Sequence, residues 1–279
     1  MNKNKNRLPA ILSSDGYKLS KLKSIWIALI LMSAIALLYF IIVLISNNII
    51  DLIVKSGAEQ TEIDTLVLAM SSLKELLVNG SAQVCSVELF VAIICCIFIG
   101  KDFSNGAISI NIARGANKRH IYFSKLITMC ALTLAYSIFC LIICGIFVAI
   151  AGGVQGFNGD SFGLLARNFV LQILCGFSSV SIFVMIAFLT RSSGSSLACT
   201  IGAYIVLSVV ISIVTFATTT IGAQSSDWIM FMPFRQSEIA TSLTKLRDVE
   251  IIAVSIMPVI YFAASTLIGY FSFEKRDVK

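Results

Sequence analysis

Reactive and ionisable side chains are few in this 279-residue chain, and they are unevenly placed. The densest group is the stretch Lys101 to Lys125, where five cations (Lys101, Arg114, Lys118, Arg119, Lys125) face one anion, Asp102. A single carboxylate, Glu88, lies inside an apolar run. The one histidine, His120, has no carboxylate or second histidine at zinc-ligand spacing and reads as an interfacial residue. The eight cysteines (Cys85, Cys95, Cys96, Cys130, Cys140, Cys144, Cys175, Cys199) all fall in or beside apolar runs and contain no CxxC pair. They read as small hydrophobes rather than metal ligands or disulfides. The glycine-rich run Gly152–Gly159 lacks the Lys-Ser/Thr that a phosphate loop needs, and no GxSxG elbow occurs. No base, metal or nucleophile constellation emerges, so an enzyme of catalytic type is not expected, and no residue is assigned a catalytic or metal-binding role.

The elements that carry these residues follow from composition. The chain is 57% hydrophobic and 13% charged, against about 25% charged in soluble domains. Its net charge of +6 is spread over the flanks of apolar runs, with no basic face carrying aromatic platforms, so no nucleic-acid partner is expected. A helix needs about 20 apolar residues to cross a bilayer. Six stretches approach that: 25–45, 81–99, 126–151, 169–189, 197–217 and 251–273, the last interrupted by Pro258. The first is too long for a signal-peptide core and is followed by no small-residue cleavage site. The fold expected is an all-α membrane protein. It has two regions, a segment 1–24 and a six-helix domain 25–279. With six spans, 15 of the 21 cations fall on the side that holds both termini, which places those termini in the cytoplasm.

Within 1–24, Ile11, Leu12, Leu19, Leu22 and Trp26 share about a third of a helical wheel. This predicts a helix lying on the cytoplasmic membrane face, with Lys18 and Lys23 reaching to head groups, although Gly16 weakens it. On the opposite side, 47–80 is acidic and its second half has helical spacing. Thr61 and Asp64 resemble a capping box, and Gly80 stands at a stop position. Trp228–Phe234 is apolar but too short to span. It predicts an interfacial or re-entrant segment before the last span, serving as a lid or as a gate. Glu88 lies about 16 Å from Ile99 along a helix. It is either a polar contact on a translocation path, suited to cationic or peptide cargo, or a residue of the outer interface if its span begins later.

Three parts of the chain resemble the permease subunits of type-2 ABC exporters. Asp15-Gly-Tyr-Lys18-Leu-Ser-Lys21-Leu-Lys23 resembles their acidic-then-lysine approach to the first span. Asp102, Gly106-Ala107, Ile108–Ile112, Arg119 and Lys125 resemble their cytoplasmic loop after the second span, with Asp102 in place of Glu, Ala107 in place of Thr, and Ala116-Asn117 where a proline is usual. Tyr270-Phe271-Ser-Phe273-Glu-Lys275-Arg276-Asp277-Val278 resembles their aromatic-basic ending. The resemblance implies a six-helix half-transporter in a bacterial cell membrane. It pairs with a second permease, identical or different, and with two cytoplasmic ATP-binding cassette subunits that hold ATP and magnesium; this chain itself holds no cofactor. It implies a short coupling helix in the loop, with Asp102, Phe103, Gly106, Ile108, Ile112, Arg114 and Arg119 as coupling residues and Phe103, Ile108 and Ile112 filling a groove on the ATPase. It implies export of a peptide, antibiotic or lipid-like molecule, in resistance or self-immunity.

From the residues alone two points stay open. Ile108, Ile110 and Ile112 alternate as in a strand, so the helix there follows from the resemblance and not from periodicity. The loop cations suit docking and simple positive-inside anchoring equally. The rivals are a secondary transporter or channel, which should show several intramembrane charges or inverted repeats, a lipid-modifying membrane enzyme, and a ligand-binding sensor with no use for a basic loop.

Overall fold

The computed structural model of the chain describes residues 7–55, 87–150, 159–221, 230–233, 235–240 and 248–275. Among them the backbone is helical with no strand. Long apolar runs favour this outcome, because in hydrocarbon only a helix satisfies its own backbone groups within one segment. The helices are α1 (Arg7–Ser20), α2 (Lys23–Lys55), α3 (Val87–Ser104), α4 (Ala107–Ala113), α5 (Lys118–Ile150), α6 (Gly159–Thr190), α7 (Ser193–Ile221), α8 (Arg235–Ala240), α9 (Asp248–Ser255) and α10 (Met257–Lys275).

The chain is a membrane protein by the length and polarity of these helices. Four stretches are long and apolar enough to cross a bilayer: Lys118–Ile143, Ala166–Thr190, Ser193–Val214 and Asp248–Lys275. Leu8–Ser20 and Lys23–Leu38, bent by 58°, make a fifth if they count as one broken span. The stretch Asp248–Lys275 joins α9 to α10 across Ile256, two residues before Pro258, which lacks a backbone donor. The ladder resumes at once, with Val259 N–H donating to the Ile256 carbonyl at 3.1 Å.

Helix α6 is the central pillar. It packs against α3, α5, α7 and α10, and Val180, Phe183, Val184, Ala187 and Phe188 are at most 2% exposed. Helices α2, α7 and α10 instead turn Ile30, Ile205, Ile213, Phe216, Leu267 and Ile268 outward, as the skin of a membrane protein does.

Helix α3 carries three charged residues, Glu88, Lys101 and Asp102, in 18, and is not among the four spanning stretches. It is nevertheless deeply enclosed: Val91, Cys95, Cys96 and Ile99 are wholly buried. A helix wrapped by protein escapes the hydropathy that lipid demands of an exposed one. Residues 81–86, where this span was expected to begin, lie outside the described residues, as do the predicted helix around 61–80 and Trp228.

The segment before the last span is helical in part. Met230–Pro233 precede α8, and Phe231 offers its carbonyl to the Tyr261 hydroxyl at 2.7 Å and to Gln236 Nε2 at 3.3 Å. The Tyr261 bond ties the segment to α10.

Helix α1, expected on the membrane surface, is bent by 58° from the start of α2. Its buried positions are Asp15 and Leu19, and it packs on α5. Trp26, predicted on the same stripe, is 62% exposed.

Candidate functional site

The basic stretch Lys101–Lys125 is mostly helix. Helix α3 continues through Ser104, and α5 begins at Lys118, two turns before Lys125. Only residues 105–117 lie between them, and α4 fills the middle. Gly106 (φ 66°) starts α4 and Gly115 (φ 82°) ends it. Both are left-handed, a conformation that costs other L-residues about 1–2 kcal/mol. The Gly115 N–H donates to the Ile112 carbonyl at 2.8 Å, and Ala116 N–H donates to Asn111 at 3.0 Å, closing the end of α4 as a left-handed cap does. Asn117 then caps α5: its Oδ1 accepts from the Arg119 N–H at 3.2 Å. The pair Ala116-Asn117, which departs from the usual proline, therefore supplies its own helix start. The alternating isoleucines are helical, not extended.

The faces of α4 are assigned differently from the expectation. Ile108 is 1% exposed and belongs to the core, and Ile112 packs against that core half-buried. Phe103 meets Phe188 edge-on at 5.5 Å and Phe273 at 6.3 Å. Phe188 meets both Phe273 and Tyr122 at 4.9 Å. These four rings join α3, α5, α6 and α10 in one cluster. Of Phe103, Ile108 and Ile112, expected to fill a partner's groove, Ile108 is buried in this chain's core, and Phe103 and Ile112 pack against that core half-buried. The outward residues of α4 and its end are Ile110, at 49% exposure, and Arg114. Ile108→Asp should therefore lose folded protein, since it buries a carboxylate without a partner. Size-exclusion recovery from membranes checks this; wild-type recovery would show that Ile108 is not core.

Beside the aromatic cluster lies a buried ion network. Lys125, its side chain 3% exposed, reaches Asp15 Oδ1 at 2.7 Å and also binds Asp102 Oδ2. Ser124 Oγ donates to Asp15 Oδ2 at 2.8 Å. Lys18 Nζ, partly exposed, stands 3.5 Å from Asp102 Oδ1. The Lys125 ammonium also sits 3.9 Å from the Phe98 ring centroid. Two carboxylates and two ammoniums balance in charge, which is what allows Lys125 and Asp15 to stay dry. In energy such a network is close to neutral against an apolar replacement, but breaking one member is costly. Its effect is registration: it fixes α1 against the junction of α3 and α5.

Asp15, Lys18 and Lys125 were legible only as separate cations and an anion beside predicted spans. The signal that could have joined them is that Asp15 and Asp102 are the only anions in their respective segments. Arg119, expected in coupling, bonds the Tyr270 hydroxyl through Nε and approaches Glu274 at 3.7 Å. Lys118 Nζ donates to the Glu274 carbonyl at 3.1 Å. Both partners of the Arg119–Glu274 pair are well exposed, so it adds little stability, but it holds the last helix to the start of α5.

Glu88 is not part of this assembly. It stands in the first turn of α3, half-buried, with Oε1 enclosed by protein. Asp102 lies fourteen positions further, about 21 Å along the axis. The predicted site residues thus divide between the two ends of α3, with Asp102, Phe103, Gly106, Ile108, Ile112, Arg114 and Arg119 at one end and Glu88 at the other.

The chain belongs to the family described as Protein of unknown function (DUF2705), whose model matches residues 70–279. No curated protein matches it.

Proposed function

We propose that this DUF2705 member is the membrane-spanning permease subunit of an ATP-driven ABC exporter, with ATP hydrolysed by separate cytoplasmic subunits. The observation that carries the reading is α4. It is a two-turn helix set between left-handed glycines, with Ile110 and Arg114 outward and Ile108 rooted in the core. Force applied at Ile110 would pass through Ile108 and Phe103 to the rings of α5, α6 and α10, so a push on one short helix moves several spans together. In this reading the chain has six spans with both termini in the cytoplasm. It pairs with a second permease and two ATP-binding cassette subunits, which seat α4 on an apolar groove rimmed by carboxylates that meet Arg114 and Lys118. Glu88 sits at the far end of α3 as a polar contact on the path of a peptide, antibiotic or lipid-like cargo.

The test is co-purification of an ATP-binding cassette protein with the tagged chain from its native membranes. Ile110→Glu with Arg114→Glu should abolish that recovery while the chain itself remains at normal level, because both side chains are solvent-facing. An ATPase retained by the double variant would remove α4 as the docking element. No ATPase with the unaltered chain would overturn the exporter reading.

A further inference from the structure

Helices α2 and α5 part to leave an apolar cleft of about 380 Å³, lined by Ile30, Ser33, Ala34, Leu37, Ile143 and Ile146. The only polar side chain in it, Ser33, already donates to the Ile30 carbonyl at 2.8 Å. The cleft therefore offers nothing to a polar or charged ligand.

Its four α2 residues are spaced three and four apart, so they form one helical stripe. Followed towards the start of α2, the same stripe passes Ile27 and Trp26, 56% and 62% exposed, and ends at the exposed Lys23. Lys21, also exposed, lies just before it, with its ammonium 5.6 Å from the Tyr17 ring centroid. Among the described residues neither lysine forms an ion pair; the nearest anion in sequence, Asp15, is held by Lys125. One face of α2 thus runs from unpaired cations through an exposed indole to a dry cleft. That is the polarity profile of a phospholipid: anionic head group, interface, acyl chain.

The lengths agree. Ile30 to Ala34 lie about 10–16 Å above Lys23 along the axis, and one leaflet of hydrocarbon is about 15 Å thick.

We infer that this stripe of α2, with Ile143 and Ile146 of α5, seats one anionic phospholipid of the cytoplasmic leaflet, its head group on Lys21 and Lys23 and an acyl chain in the cleft. The inference rests on the orientation proposed above, with residues 1–24 in the cytoplasm, and not on the transport step.

The chain has two tryptophans, Trp26 and Trp228, so a Trp228→Phe background reports on Trp26 alone. In phosphatidylcholine vesicles, phosphatidylglycerol brominated near the head-group end of its chains should quench Trp26 at roughly tenfold lower mole fraction than brominated phosphatidylcholine, given two lysines at the surface. Lys21→Gln with Lys23→Gln should erase the difference. Ala34→Phe, at an exposed position that tolerates bulk, should fill the cleft and bring the phosphatidylglycerol curve back towards the phosphatidylcholine one. Equal quenching by the two lipids overturns the proposal, and so does a preference that Ala34→Phe leaves unchanged. Absence of quenching by either lipid also overturns it, because protein, such as a second copy, then covers the face. The assay contains no ATPase, so loss of the exporter reading leaves its result intact. Conversely, loss of lipid preference leaves docking at α4 untouched.

Discussion

Lys125→Met should cost about 3–5 kcal/mol of stability, the usual consequence of removing one member of a buried ion group. The substitution keeps the length and volume of the side chain. It leaves Asp15 and Asp102, whose side chains are 4% and 12% exposed, facing each other without their shared cation. Lys18 remains 3.5 Å from Asp102 but is 44% exposed and does not reach Asp15 in the native arrangement. Thermal melting of the detergent-purified protein measures the loss. Because Asp15 is the polar anchor of α1, trypsin should also cut faster at Lys21, between α1 and α2. Combining Lys125→Met with Asp15→Asn and Asp102→Asn should recover most of the stability, since no buried charge then remains. A Lys125→Met protein that melts like the unaltered one, with Lys21 equally protected, would show that the network does not hold α1. Lys125→Arg is expected to fall in between, because the broader guanidinium must fit where an ammonium sits 3.9 Å from the Phe98 ring.

Gly100→Ala should be the most damaging single-methyl change in the bundle. A Cβ at that position would lie 2.4 Å from Ser193 Cα and 2.5 Å from Ser193 N. Both are backbone atoms, so relief requires α3 and α7 to separate. Overpacking of this kind costs about 1–3 kcal/mol and occasionally more. Ser193→Gly should not rescue it, since the obstructing atoms survive that change. Gly269 offers the contrasting case: its Cβ would meet the Tyr122 hydroxyl at 2.4 Å, the tip of a side chain. Gly269→Ala should therefore be partly relieved by Tyr122→Phe, which removes that oxygen and leaves the ring carbon at 3.1 Å. The monodisperse fraction on size exclusion separates the two cases. Rescue of Gly100→Ala by Ser193→Gly would mean the helices do not meet at their backbones. The close approach itself fits a helix pair in lipid, where small residues let backbones touch and dispersion replaces the missing hydrophobic drive.

Local chemistry decided much of this protein in advance. Apolar runs of spanning length become helices because hydrocarbon offers the backbone no other partner. Pro258 marks the break between α9 and α10 because it cannot donate. Gly106 and Gly115 are the residue type that turns left-handed without strain, and Asn117 is a type that caps helices, but their roles emerge only from the structure. The accumulation of cations at one set of helix ends was visible without any coordinates.

Packing decided the rest. From Ile108 to Ile112 the isoleucines follow a period of two, whereas a helix sets Ile110 opposite the other two. Only contact with the core shows that Ile108 is inward and Ile110 outward. Lys118 and Lys125 are the same side chain one helical heptad apart, yet one reaches the chain's far end at Glu274 and the other is sealed between two aspartates from distant segments. Burial belongs to the neighbours that tertiary structure supplies, and neither the residue nor its spacing encodes it. For the same reason Ile108 was predicted as a surface contact and is core, with Phe103 packed half-buried against it, while Asp15 was predicted on a membrane-surface helix and anchors that helix to α5. The sequence by itself determined that this chain makes apolar helices with a basic end. Which charges at that end stay dry, and which face of α4 is free to meet a partner, was decided only by how the helices pack.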